Sequence, residues 1–226
     1  MKTAILVDGA FYRRRAQIML GEKTPEERAK ELVDYCFRHI QHLNQNKKPF
    51  ESTVLYRIFY YDCFPMEKNL YHPFLKRQID YSKTGLYYWM HDFLNELRQK
   101  RKLALRLGKL ADEQAHFSLR PEIIKNLCNG TIKFEDISEN DFALQVTQKG
   151  VDMKIGLDIS SLAYKKQVDQ IVLIAGDSDF VPAAKLARRE GIDFILDPLY
   201  NKIKSDLFEH IDGLYTCDKN FNPQKD

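Results

Sequence analysis

The run Gln170-Ile171-Val172-Leu173-Ile174-Ala175, breaking into Gly176-Asp177-Ser178-Asp179-Phe180, constrains this chain more than any other stretch. Five consecutive apolar residues bounded by polar and turn residues fit a short strand buried on both faces, the pattern of a parallel sheet. In a backbone that stays extended, residues i and i+2 project to the same side. Asp177 and Asp179 are therefore expected side by side at the carboxyl end of such a strand, the edge at which open α/β sheets bind ligands. Two neighbouring carboxylates repel unless positive charge lies between them, and a divalent cation is the obvious candidate.

A second strand of the same kind lies near the start, Thr3-Ala4-Ile5-Leu6-Val7-Asp8, followed by Gly9-Ala10 and a helical stretch from Phe11 to Leu20. This order places Asp8 at the same sheet edge, with a helix N-terminus beside it. Gly9 permits a tight turn, and the helix N–H groups favour a phosphate, which Arg13, Arg14 and Arg15 lie close enough in sequence to meet. Each of these arginines reads equally well as part of a solvated face. Thr24-Pro25-Glu26-Glu27 predicts a helix start with Thr24 as cap, and Ala29, Leu32, Val33, Cys36, Ile40 and Leu43 mark one buried face. His39 and His42 flank that stripe as packing or surface residues, and Asn44–Pro49 reads as a polar loop. Ser52–Tyr61 predicts the next strand, ending in Asp62, which either borders the site or caps the following turn.

Residues 63–148 are less regular and read as a variable insertion within a single domain spanning 1–226. Leu86, Met90, Phe93, Leu94 and Leu97 form an amphipathic helix face, followed by the basic run Arg98–Lys102 and a strand from Leu103 to Leu107. Tyr71, Phe74, Tyr81, Tyr87, Tyr88 and Trp89 lie upstream; aromatics interleaved with basic residues suit single-stranded nucleic acid, although the same residues also serve as core. Pro121 opens a short helix and Asn129-Gly130 marks a turn. The net charge of +3 is unevenly spread, basic over the first half and acidic over the second, compatible with a basic substrate track beside an acidic site or with ordinary solvated surfaces.

The informative half begins at Gln148-Lys149-Gly150-Val151-Asp152, which leads into a helix striped by Met153, Ile155, Ile159, Leu162 and Ala163. Asp152 stands at that helix's start, where a carboxylate also serves as a cap; Asp158 lies about 240° further round. After the opening strand a helix starts at Ser178 or Asp179, with Pro182 in its first turn and Gly191 at its end. Ile192–Leu196 is a strand, and a last helix is expected over Ile203–Ile211, before a polar tail from Asp218. The alternation of strands and helices predicts an α/β fold with a mainly parallel sheet covered on both faces. Three separate segments thus send carboxylates (Asp8, Asp152 and the Asp177/Asp179 pair) towards one edge, a donor set for Mg²⁺ or Mn²⁺ able to activate water against a phosphodiester.

Ile5-Leu6-Val7-Asp8-Gly9, Lys149-Gly150-Val151-Asp152, Asp158, Gly176-Asp177-Ser178-Asp179-Phe180-Val181-Pro182 and Arg188-Arg189-Glu190-Gly191 together resemble the NYN domains, particularly the LabA-like branch of the PIN-like nucleases. The resemblance covers 1–15 and 145–200 well and the middle poorly. It implies a PIN-like, Rossmann-like three-layer sandwich and a metal-dependent ribonuclease with Mg²⁺ or Mn²⁺ as cofactor. Asp8, Asp152, Asp177 and Asp179 would be the catalytic and metal-binding residues, with Asp158 as a further metal ligand. Gly9, Ser178, Arg13, Arg14 and Lys149 are the candidate substrate contacts. Phe11 departs from the Asn found at this point in many members and removes a polar contact to metal, water or phosphate.

The expected partner is RNA, single-stranded or structured, and the sequence leaves room for a homo-oligomer. Four dispersed cysteines without a CxxC pair, no apolar run of about 20 residues and no signal-peptide pattern are expected of a cytoplasmic protein. Two rival functions share these features. One is a non-catalytic RNA-binding or adaptor module on the same fold. The other is a phosphatase for small phosphoesters, against which Ala10 stands where an aspartyl-nucleophile enzyme usually carries its second acid.

Overall fold

The computed structural model describes residues 1–45 and 52–222, so the expected loop over Asn44–Pro49 and the end of the polar tail lie largely outside the described residues. The chain divides into two compact units. The first holds Met1–Cys63, Asp92–Gly108 and Gly150–Asp226; the second holds Phe64–His91 and Lys109–Lys149.

In the first unit, β1 (Lys2–Asp8) leads directly into α1 (Gly9–Leu20), and α2 (Pro25–Asn44) precedes β2 (Val54–Cys63). The α2 start carries the expected capping box, with the Thr24 hydroxyl accepting from the Glu27 N–H and the Glu27 carboxylate accepting from the Thr24 N–H. In the second unit β3 (Asn69–His72) pairs antiparallel with β4 (Arg77–Asp80), and α3 (Gly85–Gln99) crosses back into the first unit. There β5 (Leu103–Leu110) begins. Its last two residues, Lys109 and Leu110, belong to the second unit, as do the antiparallel pair β6 (His116–Leu119) and β7 (Phe142–Gln145), the intervening α4 (Pro121–Cys128), and β8 (Gln148–Lys149). The remaining elements complete the first unit: α5 (Val151–Tyr164), β9 (Gln170–Ile174), α6 (Val181–Arg189), β10 (Asp193–Asp197), α7 (Ser205–Phe208) and β11 (Gly213–Leu214).

Six strands of the central sheet are parallel in the order β11-β10-β9-β1-β2-β5, and β8 adds a short antiparallel seventh against Lys109 and Leu110. The two apolar runs singled out in the sequence are its middle: β1 and β9 lie side by side, Val7 level with Ile174, and Ala4–Val7 and Ile171–Ile174 are wholly buried. Alternation along β2 sorts the helices onto two faces. Tyr60 stacks edge-on against Phe93 of α3 at 5.7 Å and Asp62 pairs with Arg13 of α1, whereas Tyr61 between them hydrogen-bonds Asp158 of α5. The helices α1, α2 and α3 therefore cover one face, with Tyr12 of α1 against Tyr35 of α2; α5 and α6 cover the other, giving three layers. The fold class read from the sequence is the one found.

The second unit has its own small core of Met66, Leu70 and Ala115, joined by Tyr81, Phe117 and Leu144. The buried His72 ring packs between those of Phe117 and Phe142. Of the upstream aromatics, Tyr71, Phe74 and Tyr88 are exposed, and the others are partly buried. The last helix is shorter than expected: α7 is a single turn, Ser205–Phe208, rather than Ile203–Ile211.

Candidate metal centre

Parallel β1 and β9 end level with one another, which brings Asp8 and the segment after Ile174 to the same sheet edge. Asp8 is both the last residue of β1 and the N-cap of α1, its Oδ1 accepting the Phe11 N–H at 3.1 Å. Burial is the largest influence on this carboxyl. With the charges of Asp152 and Asp62 it outweighs the lowering effect of the Phe11 N–H, and the pKa is pushed up from 3.8 to about 6. Asp152 is the second residue of α5 and does not cap it; that place belongs to Gly150, with φ of 80°. Its carboxyl is also raised, first by burial and then by Asp177 and Asp179. Asp177 and Asp179 do not sit on an extended strand, since β9 ends at Ile174 and Ser178–Phe180 form a 3-10 turn. Asp177 Oδ1 instead accepts the Asp179 N–H at 3.1 Å, so a local turn holds the pair.

The four acids thus form one electrostatic neighbourhood in which Asp152 repels Asp8 on one side and Asp177 and Asp179 on the other. This uncompensated negative charge and the all-oxygen donor set fit a hard divalent cation. Their oxygens are not gathered as tightly as the one set of potential ligands within 4.8 Å of one another among the described residues, His39, Asp197 and Cys217. That tighter set is a closed hydrogen-bond hub. Asp197 is wholly buried and meets Tyr35 Oη, His39 Nε2 (2.7 Å), Thr216 Oγ1 (2.6 Å) and the Leu199 N–H (2.8 Å), while burial pushes the Cys217 thiol up to about 12.

The other expected site residues fall in different places. Asp158 Oδ2 is held by Tyr61 Oη at 2.8 Å and Arg106 Nε at 2.9 Å, and is not among the charges acting on Asp8 or Asp152. Arg13 forks onto Asp62 at 2.9 and 3.1 Å, and Asp62, 1% exposed, also accepts from Tyr60 Oη and the Cys63 N–H. Asp62 is thus an internal counter-ion within β2 rather than a cap of the next turn. Arg15 donates to the Leu199 and Phe221 carbonyls, while Arg14 is exposed on α1. Lys149 is exposed on β8 in the second unit, and the side chain of Ser178 lies outside the described residues.

Two glycines fix the local geometry. A Cβ on Gly9 would lie 2.5 Å from the Tyr60 phenol and 2.6 Å from the Tyr61 carbonyl, so only glycine lets α1 start so close to β2. A Cβ on Gly176 would lie 2.5 Å from the Phe11 ring, which therefore rests on the backbone next to Asp177. The pairing of Arg13 with Asp62 had only one signal in the sequence, an acid at the end of an apolar strand, and that signal is shared by Asp8 and Asp197.

The model of the NYN domain matches residues 68–210, a span that includes Asp152, Asp158, Asp177 and Asp179 and leaves Asp8 before it. No curated protein matches. Among solved structures, a crystal structure of a protein of unknown function from Vibrio parahaemolyticus RIMD 2210633 is similar over 97% of this chain and 94% of its own, at 14% identity and a TM-score of 0.47. With the family model covering well over half of its length, the chain belongs to the NYN domain family of PIN-like domains, which are generally nucleases that use a divalent metal ion.

Proposed function

We propose that this protein is a metal-dependent ribonuclease of the LabA-like branch, hydrolysing RNA phosphodiester bonds in the cytoplasm at the edge formed by Asp8, Asp152, Asp177 and Asp179. The observation that carries the reading is the delivery of carboxylates from three distant segments to one sheet edge, where burial first and neighbouring negative charge second hold the Asp8 and Asp152 carboxyls above the usual range. Asp8, Asp177 and Asp179 would hold Mg²⁺ or Mn²⁺, directly or through water, with Asp152 completing the set. When bound, the ion supplies charge neutralisation at the phosphate and lowers the pKa of a water. Asp8 is oriented for this by the Phe11 N–H, and Asp177 and Asp179 by their shared turn. The first-turn N–H groups of α1 after Gly9, the backbone at Ser178 and the side chain of Arg14 would meet the substrate's phosphates. Arg13 acts indirectly, by neutralising Asp62 beside Asp8. The second unit, drawn almost entirely from the 63–148 stretch, would bind RNA as well.

Cleavage of a labelled RNA by purified protein should depend on Mn²⁺ or Mg²⁺, stop with EDTA, and be abolished in Asp177→Asn. Equal residual cleavage in EDTA-treated wild type and in Asp177→Asn would show that a contaminant is responsible. A non-catalytic RNA-binding module is the second reading, favoured by Phe11, whose ring lies against Gly176 beside Asp177. Metal-independent RNA binding without cleavage across varied RNAs would establish it.

A further inference from the structure

A recess of about 220 Å³ opens between β2, β5 and the C-terminal half of α5. Tyr56, Arg57, Arg106, Asp158, Ser161 and Gln167 line it, and none belongs to the acid edge. Along β2, Arg57, Phe59 and Tyr61 share the face turned to α5, and Tyr61 reaches Asp158 there. Tyr56 should face the other way. It lines the same recess because the pairing of β1 with β2 slips at this point: Thr3 opposes Leu55 and Ala4 opposes Arg57, leaving Tyr56 as an extra residue. Bulges of this kind re-aim a side chain and recur beside functional sites.

The recess has the chemistry of a nucleotide subsite. The Arg57 guanidinium is exposed, with no ion pair among the described residues. The Arg106 guanidinium lies over the Phe59 ring at 5.1 Å, held by Asp158 through Nε at 2.9 Å. The Tyr56 ring offers a stacking surface, and Ser161 and Gln167 offer polar groups able to meet base edges. Two cations against one carboxylate leave the recess net positive, and a phosphate with an adjoining base satisfies both features.

Its position gives it a role. Asp8 pairs in register with Tyr61, and Arg57 lies four residues back along the same strand, about 13 Å away at ~3.3 Å per residue. Tyr61, Asp158 and Arg106 form a hydrogen-bonded bridge between the two places. We infer that this recess binds one nucleotide of a single-stranded RNA whose scissile phosphate lies at the acid edge, an assignment that rests on the ribonuclease reading. At ~3.4 Å per stacked nucleotide, and more when extended, the separation is about two to four nucleotides.

The test measures binding of a fluorescein-labelled eight-residue oligouridylate by anisotropy, in an Asp177→Asn background that suppresses cleavage. Tyr56→Ala and Arg57→Ala should each weaken binding about five- to tenfold, and Tyr56→Phe should retain it. Arg57→Ala should also reduce the slope of log K against log salt by about 0.7–1. Lys30→Ala on α2, which removes the same charge elsewhere, should change affinity less than twofold. Equal losses in Arg57→Ala and Lys30→Ala, or wild-type binding by Arg57→Ala, would overturn the assignment. If Tyr56→Ala fails to fold, the exposed Arg57 decides alone. Cleavage of long RNA by the wild-type chain is scored separately. Binding that depends on Arg57 without cleavage would leave the subsite standing and remove the catalytic reading, and cleavage without that dependence would do the reverse.

Discussion

Replacing Asp8 with Asn should stabilise the metal-free protein at neutral pH while destroying its ability to use a metal. Asn is as good an N-cap as Asp, so the hydrogen bond from the Phe11 N–H survives and the change removes only charge. The folded carboxyl keeps its proton to about pH 6, whereas an unfolded chain loses it near 3.8. Between these values the native state binds more protons than the unfolded one, so stability falls as pH rises through the window and the full penalty applies above about pH 7. A shift of about two units corresponds to about 3 kcal/mol, an upper figure because relaxation of the edge will absorb part of it. For a chain of this length that is roughly 6–12 °C in Tm. Thermal melts in EDTA should show Asp8→Asn above wild type at pH 8, with about half the gap at pH 5 and little of it at pH 4. Saturating Mn²⁺ should raise wild type by ~2.7 kcal/mol at a hundred times Kd and raise the variant much less, narrowing or reversing the order. An Asp8→Asn protein that melts at or below wild type at pH 8 without metal would refute the account, since Asp8 would then be stabilised by its surroundings instead of repelled.

Three further outcomes follow from the same edge. Arg13→Ala strands the buried Asp62 without a counter-ion and should cost about 3–5 kcal/mol in urea unfolding, partly restored by adding Asp62→Asn. Gly9→Ala meets the Tyr60 ring and a backbone carbonyl together and should cost about 3 kcal/mol or more. Gly176→Ala meets only the Phe11 ring and should be rescued by Phe11→Ala, with a coupling of about 1–2 kcal/mol in a double-mutant cycle.

The central layer was legible because apolar runs bounded by turns have few other uses: β1, β9 and β10 appear close to where the periodicity puts them, and Thr24 caps α2 as its motif requires. The place of Asp8 was legible for the same reason, since a parallel strand must deliver its last residue to that edge, whereas Asp177 and Asp179 lie in a turn beyond β9 and Asp152 on α5. Less could be read from polar groups whose partners lie far away in sequence. Asp197 and Asp62 look like Asp8 in the sequence, yet one is sealed by Tyr35, His39, Thr216 and Leu199 and the other by Arg13. Asp158 looked like a fifth member of the acid set, and its fate was decided by Arg106, 52 residues earlier. In the second unit, β3, β4, β6 and β7 are four residues each, too short for alternation to separate them from loops.

The position of β1 between β2 and β9 also sets a schedule. The side chains of Thr3 and Gln170 that meet across it are 167 residues apart, so half of the first strand's pairing waits for the far end of the chain. On the ribosome, at ~5–20 residues per second, the roughly 100 residues between β2 and β9 take about 5–20 s to emerge. Throughout that interval the apolar run Ala4–Val7 has one open strand edge. The arrangement that ends β1 and β9 at one sheet edge therefore makes the nascent chain sticky during synthesis, a demand on chaperones built into that strand order.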